Sequence, residues 1–401
     1  MRGVLPQNQH SLRFLIISQA GLFAANGLTI PLMANHYATL HADATLIGLI
    51  FAVQQFGSLA APYIWGLRSD AIGQRRPIIF WALGMASMSM LSVALTESIW
   101  LVIVAQLIFG VAVAGFNAGG LALVGDLIED ATSRGRVLGF VRTTGSLAFA
   151  VTAITGGFIA DYYGSWVPIC IGGVMLLSGC LASLGIREAV VTPQVHGVHA
   201  PPTEAVVPVS RAVTLTFFVV VFAWFYGMGS VAWLWPAFMS NVGYTQSSIS
   251  ALWALAAAGE VPGLMLAGYL ADRWGRRPML MAGLIGQGMI YILYQFLAPA
   301  WGIVPLQMIR SLTYSSYETP ALLMATELGL RQRRGRLAGV YHTIAALGGV
   351  IGSAVSGFII AQTSYALSFT LSGAFMIVIA LLVARRLPAR ATRASSSHAQ
   401  V

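Results

Sequence analysis

Apolar runs of about twenty residues recur along this chain, each long enough for a helix to cross the hydrocarbon of a bilayer. They lie near 12–36, 45–66, 77–96, 99–127, 137–160 and 165–186, then near 212–239, 246–270, 278–298, 302–327, 337–362 and 365–385. Backbone inside hydrocarbon must satisfy its own hydrogen bonds, so these runs predict helices. The expectation is an all-α membrane protein with twelve transmembrane helices. Composition agrees: 57% of the 401 residues are hydrophobic and 9% are charged, against about 25% charged in a soluble protein. The first run carries no signal-peptide cleavage pattern and is expected to stay as a span.

Between the sixth and seventh runs lies "REAVVTPQVHGVHAPPTEAVVPVSR", Arg187 to Arg211, whose prolines and polar residues mark a linker. The predicted organisation is a six-helix bundle over 1–186, a cytoplasmic linker over 187–211, and a second six-helix bundle with a short basic tail over 212–401. The formal charge of +9 comes from arginine alone, since all 22 basic residues are arginine. Placing both termini in the cytoplasm puts 20 of the 22 in cytoplasmic segments and none in outer loops, as the positive-inside rule requires. Arg142 and Arg310 are left within spans. The charge is therefore a topology signal, and no nucleic-acid partner is expected. The chain reads as a multi-pass protein of the cell (inner or plasma) membrane with both termini cytoplasmic. Cys170 and Cys180 share one apolar run and offer neither a disulfide framework nor metal-ligand spacing. The spans hold no metal cluster and no nucleophile–base motif, so neither an enzyme nor a cofactor is expected.

The two halves repeat each other. "GLRSDAIGQRRP" (66–77) follows the second run and "GYLADRWGRRP" (268–278) follows the eighth. "RGRVLGFVRTTG" (134–145) and "RGRLAGVYHTIA" (334–345) stand at an offset of 200, which "GGFIA" (156–160) and "SGFII" (356–360) keep. A parallel six-plus-six repeat places solute near midplane between the halves.

These residues resemble the major facilitator superfamily of secondary transporters. Its loop signature, G-x-x-x-D-x-x-G followed by basic residues, appears at Gly66, Asp70, Gly73, Arg75 and Arg76, and again at Gly268, Asp272, Gly275, Arg276 and Arg277. The basic residue usual after the aspartate is Arg273 in the second copy, whereas the first has Ala71. Glycine lets helices approach, and the aspartate can meet a helix N-terminus and nearby arginines, so the cluster reads as a gate latch. The resemblance implies two pseudo-symmetric six-helix bundles and a monomeric transporter of small solutes. The segment 243–278 is similar to the branch of phenylpropionate permeases, nucleoside symporters and, more distantly, lactose permease. That similarity implies a role for Glu260, in "GEVP", in substrate binding and proton coupling. In lactose permease a carboxylate and an arginine of spans four and five also bind sugar; Asp126 and Arg142 stand nearest here, in a different register. Two motifs of drug–proton antiporters are absent: Gln106 replaces their arginine four residues before Gly110, and Thr152 and Ala153 replace their Gly-Pro.

An ionisable group at bilayer depth costs about 2.5–3.5 kcal/mol, so each needs a partner or an aqueous cavity. Glu260 lies midway along its span, where a carboxylate can carry a proton for symport; the alternative is a structural pair with an arginine. Asp126 with Arg142, and Glu327 with His342, form matched acid–base pairs near the cytoplasmic side, which suggests gating or packing. Gln106 and Asn117 share one helix face, as do Gln19 and Asn26, and both stripes suit either helix packing or a ligand. In "FAWFYGMGSVAWLWPAFM" (222–239), Trp224 and Tyr226 are deep enough to line a cavity. Trp233 and Trp235 read as an interfacial belt, and Gly227, Gly229 and Pro236 as a flexible stretch. The tenth run contains "RSLTYSSYETP" (310–320). There Arg310, Tyr314 and Tyr317 fall at i, i+4 and i+7, with Glu318 beside them and Pro320 predicting a bend.

Together these features predict a transporter that moves a small organic solute with protons by alternating access. Glu260 is the main proton-linked group, Glu318 a second, and Arg310 a partner for either acid or for a solute carboxylate. The aromatic lining favours aromatic or carboxylated solutes. The alternative is a proton-coupled exporter of hydrophobic or amphipathic compounds, which the aromatic richness and 15 methionines would suit.

Overall fold

The computed structural model describes residues 6–127, 131–188, 211–298, 301–327 and 334–386. The first half contains α1 (Pro6–Thr29), α2 (Met33–Thr39), α3 (Ala44–Ile72), α4 (Arg76–Leu95), α5 (Ile99–Leu127), α6 (Ala131–Tyr163) and α7 (Trp166–Ser183). The second contains α8 (Arg211–Gly227), a π-helical turn (Met228–Ala232), α9 (Trp235–Val242), α10 (Gln246–Trp274), α11 (Arg276–Leu297), α12 (Ile303–Glu327), α13 (Arg334–Gln362) and α14 (Tyr365–Val383). Most of the expected linker falls outside the described residues.

Among the described residues, ten helices are long and apolar enough to cross a membrane, counting α8 through α9 as one, and the bent pair α1 and α2 makes an eleventh span. The first expected span is thus broken: α1 ends at Thr29 and α2 restarts at Met33 with a 50° change of direction. The twelfth, α12, is long enough but too polar to join that count, because Arg310, Glu318, its serines and its tyrosines interrupt the apolar run. It continues as one helix through Pro320. The seventh expected span passes into the π-helical turn directly after Gly227 and resumes as α9, with Pro236 in its first turn, where a missing N–H is tolerated.

Each half is a bundle. In the first, α1 packs on α6 and α7, α4 on α5 and α7, and α3 on α5; in the second, α8 packs on α13, α10 on α12, and α11 on α12 and α14. The halves meet along two crossings, α3 with α13 and α6 with α10. Small residues set the first. A Cβ on Gly48 would lie 2.5 Å from the Ser353 carbonyl oxygen, and one on Gly357 would lie 2.5 Å from that of Ala44. Backbone contact this close is available only to glycine. At the second crossing the Asp161 carboxylate, at the end of α6, accepts from the Gln246 and Ser247 amides at 2.8 and 3.0 Å. It therefore satisfies two otherwise unpaired donors at the α10 N-terminus. Asn35 adds a hydrogen bond from Nδ2 to Gln246 Oε1 at 2.9 Å, and Phe51 stacks on Trp233 with centroids 5.5 Å apart.

These contacts lie at the starts of α3 and α10, the ends of α6 and α13, α2, and the turn before α9, the end of the molecule without arginine-rich segments. Toward the arginine-rich end, a Cβ on Gly66 or Gly339 would meet nothing within 4 Å among the described residues. The halves are thus clamped together at one end. Trp233 and Trp235 depart from the interfacial belt expected of them: Trp235 is buried at 2% exposure and Trp233 stacks across the clamp. The break before α9 turns both rings inward.

The short helix α2 anchors this end to the first bundle. His36 contacts Ser165 Oγ through Nδ1 at 3.0 Å and the Val93 carbonyl through Nε2 at 3.2 Å. Gln106 donates from Nε2 to the fully buried Tyr37 hydroxyl at 2.6 Å. Tyr37→Phe would leave that buried amide only the weak acceptor Met33 Sδ, at 4.0 Å. A loss of about 1–3 kcal/mol is expected, read as a lower unfolding midpoint of the detergent-solubilised protein.

Candidate substrate cavity

The loop signature forms sharp turns at one end of the molecule. Gly73 closes α3 at φ 67° and Gly275 joins α10 to α11 at φ 97°, both conformations that favour glycine. Arg75 donates from Nη1 to Ser69 Oγ at 2.5 Å. The carboxylate at the α4 N-terminus is Glu188, whose Oε2 accepts from the Arg75 and Arg76 amides at 2.6 and 3.2 Å. The loop signature assigns that kind of contact to its aspartate. Asp272 and Arg273 are exposed, and Arg276 and Arg277 half-buried. The side chains of Asp70, Asp126, Arg142 and Glu327 lie outside the described residues. His342 is exposed and edge-on to Tyr341, with centroids 5.4 Å apart.

The second bundle concentrates the polar and aromatic groups. Helices α10 and α12 touch through Gly259 and Gly263, whose Cβ positions would lie 2.5 and 2.6 Å from the hydroxyls of Ser311 and Ser315. This close approach brings Glu260, half-buried in the middle of α10, beside α12, and its carbonyl accepts from Ser315 Oγ at 3.4 Å. Glu318 is half-buried on α12. Tyr317 is fully buried and stacks on Trp224 of α8, with centroids 3.9 Å apart and ring planes 7° from parallel. Tyr314 meets the same indole at 6.0 Å. The two tyrosines of the predicted stripe therefore both meet Trp224 of α8, whereas its arginine turns toward α10. Tyr226 turns toward α14, edge-on to Phe375 at 4.8 Å.

Arg310, one turn before Tyr314, is buried at 6% exposure with its guanidinium carbon 5.0 Å from the centre of the Trp253 ring. It lines a small cavity with Trp235, Trp253, Tyr291, Tyr294 and Gln307. Of these companions only Trp235 stands out in the sequence, as part of an interfacial belt. The "YILYQF" spacing does put Tyr291 and Tyr294 on one face of α11, and Gln307 precedes Arg310 by one turn.

In the first bundle the predicted polar stripes separate. Gln106 is buried against α2, whereas Asn117 is exposed on the same helix. Gln19 and Asn26 are both half-buried on α1.

A family model described as the MFS_1 like family matches residues 21–371. The chain belongs to this family. It is therefore a multi-pass transporter of the major facilitator fold, not an enzyme. Among curated relatives, the MFS_1-like chain is 25% identical to multidrug resistance protein MdtG of Enterobacter lignolyticus, over 97% of this chain and 95% of that one. It is 22% identical to multidrug resistance protein 2 of Bacillus subtilis, over 89% and 90%. Two solved structures share the fold. The nucleoside transporter NupG superposes with a TM-score of 0.76 at 12% identity, covering 94% of this chain and 99% of that one. A bacterial homologue of the human lysosomal transporter Spinster, in an inward-facing and occupied conformation, gives 0.74 at 16% identity, covering 98% and 100%.

Proposed function

We propose that this MFS_1-like chain carries a small organic solute across the cell inner membrane together with protons, by alternating access, as a monomer with both termini cytoplasmic. The observation that carries the reading is the double position of α10. One end of that helix is clamped across the halves by Asp161, and its middle bears the half-buried Glu260 against α12. A proton arriving on Glu260 acts on a helix that is itself part of the gate, which is the coupling a symporter needs. With the arginine-rich end in the cytoplasm, the clamped end faces out and the arrangement is one that loads or releases solute inside.

In proteoliposomes with an acidic exterior, adding a transported solute is expected to drive proton entry, followed with a trapped pH dye. Glu260→Gln removes the titratable group but keeps the shape, and should lower gradient-driven uptake at least tenfold while solute exchange without a gradient continues. Full gradient-driven uptake by that variant would remove Glu260 from the mechanism.

A second reading, proton-coupled export, is favoured by the names of the curated relatives, which are multidrug resistance proteins. Everted vesicles separate the two. Accumulation of hydrophobic cations on acidifying the vesicle interior would support export, and accumulation only in the opposite sense supports symport.

A further inference from the structure

The cavity among α9, α10, α11 and α12 is rich in unpaired donors. Trp235 Nε1, Trp253 Nε1 and Arg310 Nε are all buried, and none has a hydrogen-bond partner among the described residues. All three belong to residues that line the same small cavity. An unpaired buried donor is costly, and three on one void amount to a site built for an acceptor that is not a side chain. The remaining polar groups divide: the two phenols offer the cavity lone pairs, and Gln307 offers a donor. The Tyr294 hydroxyl donates to Gln307 Oε1 at 3.3 Å and the Tyr291 hydroxyl to Met228 Sδ at 3.4 Å, so their hydrogens are taken. With Oε1 of Gln307 occupied, its amide nitrogen remains as a further donor. Among the described residues, no carboxylate lines the cavity.

We infer that this cavity is an anion-recognition site, in which Arg310 and the two indole N–H groups receive a small anionic acceptor, the carboxylate head of an aromatic solute or a free inorganic anion. A buried guanidinium whose Nε has no partner among the described residues, in a cavity with no carboxylate in its lining, gains a charge-assisted hydrogen bond from an incoming anion. The free space holds about one water molecule, so a head group enters only as the lining side chains part, and a ring stays outside. The ring would lie outside it, against the aromatic walls of α8 and α12. The inference deepens the transport reading by naming the charge of the solute, and it rests on that reading only for calling the solute cargo.

Binding to the full-length protein in detergent tests it without any gradient. The probes are benzoate and phenylacetate, their neutral amides benzamide and phenylacetamide, and sodium chloride exchanged for sodium gluconate; the readout is the shift in unfolding midpoint with ligand concentration. Carboxylates are expected to bind at least tenfold more tightly than the amides, with the difference lost in Arg310→Gln. Trp253→Phe, which keeps the ring and removes its N–H, should weaken carboxylate binding several-fold and guards against misfolding of the arginine variant. Competition by chloride with equal dependence on Arg310 assigns the site to a free anion; carboxylate binding unaffected by chloride assigns it to the solute. Equal affinity for acids and amides, or undiminished carboxylate binding in folded Arg310→Gln, overturns the inference. The detergent assay contains no proton gradient, so the acid-over-amide preference of the unaltered protein stands or falls independently of the gradient-driven uptake that tests proton coupling.

Discussion

Gly157→Leu is expected to reduce transport by one to two orders of magnitude while the chain still folds and inserts. A Cβ at that position would lie 2.7 Å from Ser250 Cβ and 2.8 Å from both the Gln246 carbonyl oxygen and Ser247 Cα. Two of those three atoms are backbone, so no rotamer change relieves the clash and the α6–α10 crossing must open. Overpacking typically costs about 1–3 kcal/mol, and each 1.4 kcal/mol moves a two-state equilibrium about tenfold. The cost falls only on states in which this end is clamped, so the population shifts toward the state open there and the cycle stalls. Initial uptake rates measure the loss. Labelling of a cysteine placed at Ser250, in a background lacking Cys170 and Cys180, measures the shift and should rise. Gly157→Ala should respond the same way. Asp161→Asn, which weakens the charge on the α10 N-terminus, should move labelling in the same direction by a smaller amount. Undiminished turnover in Gly157→Leu would mean that the clamped end is not a state of the transport cycle.

The main lines of this architecture were legible because bilayer physics writes them in one dimension. Run lengths, arginine placement and the offset repeat located the helices, the two bundles and the signature loops. Tertiary detail was legible only where it follows helical spacing. Arg310, Tyr314 and Tyr317 could be put on one face of α12, and the structure aligns the two tyrosines against Trp224. What spacing cannot give is the partner across a helix pair. Gln106 looked equivalent to Asn117 along α5, yet one is sealed against Tyr37 and the other exposed. The difference arises from the 50° break after α1, which returns α2 over the end of the bundle. The same limit hid the cavity around Arg310, whose walls come from four successive helices meeting at one point. It also misplaced Trp235, whose composition suited an interface until the π-helical turn carried it inside. Glu188 took the helix N-terminus because the chain after α7 returns to the start of α4, a contact no local motif encodes.

Trp224→Ala should be the most destabilising single substitution in the second bundle. Its indole is 1% exposed and lies flat on Tyr317, which is itself fully buried. Removing a buried tryptophan side chain costs about 3–5 kcal/mol, and a well-stacked aromatic pair adds about 0.5–1.5 kcal/mol beyond its area. Helices in a bilayer gain little from the hydrophobic effect against one another, so this van der Waals contact carries a larger share of the α8–α12 association than it would in water. The expected result is a fall of several kcal/mol in stability, seen as a markedly lower unfolding midpoint, with Trp224→Phe retaining most of it. Transport then separates packing from ligand contact at the same residue. If the stack only holds α12 against α8, Trp224→Phe changes neither KM nor the preference for acids over amides. If the indole edge also touches the solute ring, KM rises in Trp224→Phe while the midpoint hardly moves. That second outcome would join the aromatic stripe of α12 to the anion site at Arg310 as one continuous surface, the head group in the cavity and the ring against Trp224 and Tyr314.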